Sequence, residues 1–367
     1  MSEQSPVQAS ADFERNGNTD WNACWSDTRH DVVLMNFGGP TKQEEVEPFL
    51  RRLFEDPLIL RLPLPEPFRS LAQKWLASMI VSRRLGAITE NYRHIGYSPI
   101  NRYTQEQARI LQGLLRKKRP NTFVHVANRY TPPFAQDVVR ELPDHPERLF
   151  LVTLYPHFSH ATSGTSIRDF DQSWKLRSGR ETKGGTRVFS WWWHPRWIEY
   201  TTRELCRSIE LAVKQNVGGK GGDQKISVVI SAHGLPQSYA DRGDQYPHEI
   251  AAHYGEMRRR ALLWLQENFP TLDCVFELSF QSRVGRMEWT RPYTEDVILD
   301  MAKRGGALVM APISFVSDHI ETLHEMDVTY RDSALKNGFA SFYRVKLPNG
   351  DPVVAECLAD VLVHHGF

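Results

Sequence analysis

Short, continuous apolar runs recur along this chain, at Val32 to Phe37, Phe123 to Ala127, Leu149 to Leu154, Ile226 to Ile230, Val275 to Phe280 and Ala307 to Ala311, and longer stretches of helical pattern separate them. A strand that is apolar without a break has no face to give to water, so it belongs in a parallel sheet covered by helices on both sides. The expected architecture is therefore α/β. Segment 216–225, with Gly218, Gly219, Gly221 and Gly222, separates two such sets of runs, and we read two doubly wound lobes. The expected division is a loose polar tail at 1–30, a first lobe at 31–215, a glycine-rich linker at 216–225, and a second lobe at 226–367 that includes the C-terminal helix. A chain of 367 residues, 41% of them hydrophobic, can bury cores for both lobes.

Charge and cysteine usage narrow the function classes. Lys and Arg number 45 against 44 Asp and Glu, a formal charge of +1, so no basic field exists to attract nucleic acid, and no such partner is expected. Cys24, Cys206, Cys274 and Cys357 lie far apart without a CxxC pair, which speaks against a disulfide scaffold or a cysteine-rich zinc site. The first thirty residues lack an apolar signal core, and no run of about 18 apolar residues occurs anywhere. A cytoplasmic protein is expected, as a monomer or homodimer.

Unusual polar residues fall where the apolar runs end: Asn36-Phe37-Gly38-Gly39-Pro40, Tyr155-Pro156-His157-Phe158-Ser159-His160, Ser231-Ala232-His233-Gly234-Leu235-Pro236, Gln281-Ser282-Arg283 and Ser317-Asp318-His319-Ile320-Glu321. In open α/β sheets ligands bind outside the carboxyl ends of the strands, so these segments are expected to converge on a cleft between the lobes. His233 is either a hydrogen-bonded structural residue or a catalyst and ligand. Asp318, Glu321 and Glu325 have the spacing of one α-helical face, and Asp318-x-x-Glu321 also reads as a capping box. Phe37, Tyr130, Trp191 to Trp193, Trp289 and Phe315 either fill cores or sandwich a flat ligand. There is no GxGxxG, GxxxxGKS, HExxH or GxSxG, which removes the common nucleotide, zinc-protease and α/β-hydrolase readings.

Four segments in order, Val33-Leu34-Met35-Asn36-Phe37-Gly38-Gly39-Pro40, Ser231-Ala232-His233-Gly234-Leu235-Pro236, Ser279-Phe280-Gln281-Ser282-Arg283-Val284-Gly285 and Phe315-Val316-Ser317-Asp318-His319-Ile320-Glu321-Thr322-Leu323, resemble the hallmark stretches of the ferrochelatase family. The resemblance implies two Rossmann-like lobes with an inter-lobe porphyrin cleft, and porphyrin and Fe²⁺ as substrates. His233 and Glu321 match the family's catalytic and metal-binding pair. Phe37, Arg129, Tyr130, Trp191, Trp289 and Phe315 match its porphyrin pocket, and Asp318, His319 and Glu325 match the polar residues beside the metal. Protoporphyrin IX is the expected substrate and coproporphyrin III the alternative. A cobalt-type chelatase and a non-catalytic tetrapyrrole carrier are more remote.

The chain departs from the family's pattern in three places. Some members hold a [2Fe–2S] cluster by one cysteine after the Tyr-Pro stretch and three near the C-terminus, whereas this chain has His160 at the first position and no cysteine-rich end, so no cluster and no tightly bound cofactor are expected. Thr329 interrupts an acidic ladder, and Tyr97 stands where many members have a second glycine. Segment 58–84 matches the family's pocket lip; within it Phe68, Leu71, Trp75, Leu76 and Met79 recur at helical spacing among Arg69, Lys74, Arg83 and Arg84, so either peripheral membrane contact or packing on the chain's own domain is expected.

Overall fold

A computed structural model describes residues 28–57, 59, 65, 68–181, 185–215, 225–285 and 287–367. Nearly all of the expected tail and linker, 1–27 and 216–224, lies outside the described residues. The first lobe contains β1 (His30–Asn36), α1 (Gln43–Glu55), α2 (Phe68–His94), α3 (Ile100–Arg116), β2 (Thr122–Asn128), α4 (Ala135–Glu141), β3 (Arg148–Thr153), α5 (Thr165–Ser178) and β4 (Thr186–Val188). After α6 (Pro195–Gln215) come β5 (Lys225–His233), α7 (Gln237–Ala240), α8 (Tyr246–Asn268), β6 (Asp273–Gln281), α9 (Thr294–Ala302) and β7 (Ala307–Pro312). A π-helix (Glu321–Tyr330), α10 (Arg331–Lys336), β8 (Ser341–Arg344) and α11 (Pro352–His364) follow.

Both sheets are four-stranded and wholly parallel, with orders β2-β1-β3-β4 and β6-β5-β7-β8. The repeated order makes two doubly wound lobes. Alternation along β1 shows why its apolar run is unbroken. Val32 and Leu34 enter one core with α3, α6 and α11, while Val33 and Met35 enter another with α4 and α5. The second sheet does the same, Val228 and Ile230 facing α6 and α8 while Val229 faces α9 and the π-helix.

The C-terminal helix corrects the expected lobe boundary. Val354, Cys357, Leu358, Val361 and Leu362 of α11 pack with Val32, Leu34, Leu111 and Trp197, so this helix closes the first lobe although it ends the chain. A parallel sheet needs cover on both faces, and α3 and α6 leave room that α11 fills. Helix α6 is shared: Trp197 and Tyr200 lie in the first lobe's core, and Leu205, Ile209, Ala212 and Val213 lie in the second's.

The loop after β3 clasps the second lobe. Ser159 Oγ and the His160 N–H both donate to Asp244 at 2.9 Å, and the Phe158 N–H donates to Glu249 at 2.7 Å. His157 Nε2 and His253 Nδ1 share a buried hydrogen bond of 3.1 Å, and burial drives both rings below the usual imidazole range. At the end of α2, Gly96 and Tyr97 take φ of 69° and 68° in succession. The second position favours glycine, and Tyr97 holds it while its side chain packs against the buried cluster of Val46, Phe49 and Tyr92.

Because Leu358 is fully buried between α11 and the first sheet, Leu358→Ala is expected to lower the unfolding free energy by about 2–5 kcal/mol. Urea denaturation checks it; a loss under about 1 kcal/mol would mean that α11 is not part of this core.

Candidate active site

His233 is the last residue of β5 and pairs in register with Gln281, the last residue of β6. Strand β5 lies between β6 and β7, so His233 stands beside the point where the strand order reverses, the usual ligand crevice of such sheets. Its N–H donates to Ser314 Oγ at 2.9 Å, tying the strand end to the loop after β7. Gly234 follows because nothing larger fits: a Cβ would meet the Gln281 carbonyl oxygen at 2.8 Å and the Trp289 ring at 3.2 Å. This close approach sets the Trp289 ring centroid 6.4 Å from that of His233.

The opposing group comes from the π-helix, whose i→i+5 bonding widens the first turn. Glu321 Oε1 lies 3.4 Å from His233 Nε2. His233 Nδ1 is 2.6 Å from the Gly234 carbonyl oxygen, which can only accept, so Nδ1 carries a proton and Nε2 faces the carboxylate. The second oxygen, Glu321 Oε2, is buried and accepts no hydrogen bond among the described residues. The two side chains nevertheless remain 35% and 29% exposed, so the pair is open to a ligand. Burial opposes charge on His233, but the Glu321 carboxylate outweighs it and raises the imidazole to about 9. Burial likewise opposes charge on Glu321, and His233 outweighs it, holding the carboxyl down at about 2. At neutral pH the pair is an imidazolium and a carboxylate.

The polar residues around this pair divide by what they touch. Glu325 accepts from the Ser282 N–H at 3.0 Å, the Ser282 hydroxyl, Gln281 Nε2 at 3.2 Å and the Tyr330 hydroxyl at 2.8 Å. Burial and then the Glu321 charge raise its pKa. His319 Nδ1 accepts the Glu321 N–H at 3.1 Å, and its ring stands edge-on to Phe315 with centroids 4.4 Å apart. Burial keeps this imidazole below its ordinary value.

The expected stripe of three carboxylates is not found. Asp318 accepts from Thr322 Oγ1 and Asn349 Nδ2, each at 2.8 Å, and lies 2.9 Å from the Arg344 guanidinium. Nor does Asp318-x-x-Glu321 form a capping box, since His319 and Thr322 supply the side-chain contacts at the helix start. The α-helical spacing fails because regular structure begins only at Ile320 and then runs as a π-helix.

In the first lobe Phe37 meets Tyr130 edge-on at 4.6 Å. Tyr130 is fully buried, and its hydroxyl donates to Asp56 at 2.9 Å. Arg129 pairs with Asp56 at 2.7 Å and Asp169 at 3.4 Å, and its guanidinium lies over the Tyr130 ring. The sequence reading missed Asp56, a single acid in a loop with no pattern to mark it. Ile320 packs into the cluster of Phe37 and Tyr92, so this wall reaches the π-helix. Trp191 is not in the crevice: it is fully buried in the first lobe's core, donating to the Thr153 carbonyl at 2.9 Å and packing on Trp197. A large apolar ring after a strand fits a core as well as a ligand wall, and here the core takes it.

Residues 29–366 match the sequence model of the family described as Ferrochelatase. A "Ferrochelatase" of Synechococcus sp. (strain WH7803) is 40% identical over 342 residues, covering 91% of this chain and 82% of that protein. One of Nostoc punctiforme is 37% identical over 336 residues, 90% of this chain and 81% of that protein. Among solved structures, "SirB from Bacillus subtilis with Fe3+" has a TM-score of 0.47 at 10% identity, covering 92% of this chain and 95% of its own.

The coupling of His233 to Glu321 has a measurable sign. Glu321→Gln removes the anion and leaves the burial, with only the Gly234 carbonyl and the Glu325 charge still supporting the cation, so the His233 pKa is expected to fall well below about 9. A raised imidazole pKa stabilises the fold fully below the unfolded value, and that contribution fades as pH rises through about 9. The lowered carboxyl contributes above its unfolded value and fades as pH falls through about 2. An NMR titration of the His233 Cε1 proton checks the shift, and an unchanged pKa would show that the two groups are uncoupled.

Proposed function

This chain belongs to the ferrochelatase family, enzymes that insert iron into a porphyrin, and from that premise we propose that it inserts Fe²⁺ into protoporphyrin IX to form protohaem in haem biosynthesis. The observation that carries the assignment of roles is the contact between His233 and Glu321 at the switch point of the second sheet.

Metallation must strip water from Fe²⁺, take two protons from the pyrrole nitrogens and bend the ring toward the metal. Glu321, with Oε2 unpartnered, is a hard oxygen ligand ready for a dication. The proton on His233 occupies the place of that cation in the resting pair, and an Fe²⁺ arriving on Glu321 drives it off to water. The neutral His233 then accepts the two pyrrole protons at Nε2 one after the other, passing each to solvent. Phe37, Trp289 and Phe315 with Arg129 serve as the pocket walls, and binding energy gathered on them can hold a bent macrocycle. Tyr130 backs that wall. His319 positions Glu321 by accepting its N–H, Glu325 ties the same helix to Gln281 and Ser282 at the end of β6, and Asp318 acts from further away through Arg344.

The same reading leaves out a [2Fe–2S] cluster. Burial pushes the Cys206, Cys274 and Cys357 thiols up to about 12, and they are divided between the cores of the two lobes, so they do not fit a shared cluster. A cytoplasmic protein with reversible membrane contact is part of this proposal. No described helix is long and apolar enough to cross a bilayer. The lip helix α2 buries Gln73, Ala77, Val81 and Tyr92 and turns Phe68, Leu71 and Trp75 outward, 65%, 66% and 68% exposed. A stripe of this kind flanked by Lys74, Arg83 and Arg84 suits a membrane interface and gives a poorly soluble porphyrin a route into the cleft, which favours protoporphyrin IX over the tetracarboxylate coproporphyrin III.

Anaerobic turnover with Fe²⁺ and each porphyrin in parallel tests the substrate; a strong kinetic preference for coproporphyrin III would overturn that choice. In the same assay His233→Ala is expected to cut turnover by about 10²–10⁴-fold while porphyrin binding survives, and near-normal turnover by the folded variant would remove His233 from the chemistry. For the membrane, a Leu71→Glu, Trp75→Glu, Met79→Glu variant is expected to stay in the supernatant when wild type sediments with anionic liposomes. Equal partitioning of the two folded proteins would end the membrane reading.

A further inference from the structure

Two histidines meet where α2 ends against the π-helix. His94 lies in the last turn of α2 and is exposed; His324 lies on the π-helix and is half-buried. Their rings stand at 82° with centroids 5.7 Å apart, and neither ring makes a hydrogen bond among the described residues. This distinguishes them from His157 and His253, whose facing nitrogens are spent on each other.

The surroundings suit a cation. The C-terminal carbonyls of α2 carry the negative end of the helix dipole beside His94. The one cation in that turn, Arg93, is neutralised by a two-pronged contact with Glu90 at 2.7 and 3.0 Å. Tyr92, two residues before His94, lies close enough to Glu321 for that carboxylate to add to the effect of burial in raising its phenol. The same two elements that bring Tyr92 near Glu321 therefore bring His94 to His324.

We infer that His94 and His324 form a docking site for a divalent cation, from which Fe²⁺ passes to Glu321. The docking site stands on the pair itself, whereas the passage rests on the proposed function. Imidazole nitrogens are suitable ligands for Fe²⁺, and two of them, with water filling the other positions, bind a dication while leaving it free to move on.

Co²⁺ serves as the probe, since it neighbours Fe²⁺ in the affinity order and needs no anaerobic handling. It is titrated, without porphyrin, into Glu321→Gln protein and into the same protein carrying His94→Ala and His324→Ala, followed by calorimetry and by paramagnetic shifts of imidazole protons. The first is expected to bind a Co²⁺ that the second binds about tenfold or more weakly. His94→Ala alone, at an exposed position outside the π-helix, should already weaken it. Identical isotherms overturn the docking site. With Glu321 intact, losing both histidines is expected to raise the KM for Fe²⁺ about tenfold, with the effect falling on KM rather than kcat. An unchanged KM in a protein that has lost the Co²⁺ site overturns the passage. If wild type metallates no porphyrin, the proposed function fails while the Co²⁺ titration still decides the docking site.

Discussion

The crevice depends on keeping one carboxylate ionised where burial opposes it. Glu321 is anionic because His233 answers it across 3.4 Å, and His233 is cationic for the same reason, so each charge is the condition of the other. Replacing either partner with a neutral group strands the other. The neighbouring contacts serve this arrangement. Ser314 and Gly234 hold the imidazole by its backbone and its inner nitrogen, and His319 holds the backbone of Glu321. Gln281 and Ser282, from the adjoining strand, secure Glu325 one turn along. A widened helical turn lets an anchored carboxylate and a reacting one share a short stretch of chain without competing for partners.

The lobes offer little freedom to move relative to one another. The loop after β3 is bonded to Asp244, Glu249 and His253, α6 runs through both cores, and Gln107 of the first lobe reaches Ser317 of the second at 3.3 Å. A crevice framed in this way keeps its width. Access then falls to its edge, where α2 packs Ala77, Val81 and Tyr92 inward and shows Phe68, Leu71 and Trp75 outward.

How far the sequence disclosed this varied with the physics of each residue. Unbroken apolar runs reveal burial on two faces, which is why both parallel sheets were legible, and strand ends locate a crevice, which is why His233 stood out. Glu321 was marked by the family resemblance, and its spacing from Asp318 suggested a shared face that only an α-helix would give. A π-helix leaves no simple period to read. The apolar surface of α11 announced that it was buried and could not say against which sheet, because a hydrophobic pattern carries no address. Trp191 failed for the same reason. At Tyr97 the backbone angle shows why many members have glycine there, which the residue letters alone do not.

The placement of α11 has a consequence for how the protein comes into being. Phe367 packs its ring 5.0 Å from that of His30 and 5.4 Å from that of Phe150, so the last residue of the chain rests on the first strand. During synthesis the strands of the first sheet emerge early, but the part of one face that α3 and α6 leave bare stays open until α11 has left the ribosome. The second sheet needs no segment later than β8 and can assemble in the meantime. The lobe translated first is thus the lobe finished last, and its uncovered apolar face is the surface a nascent chain must shield while it waits.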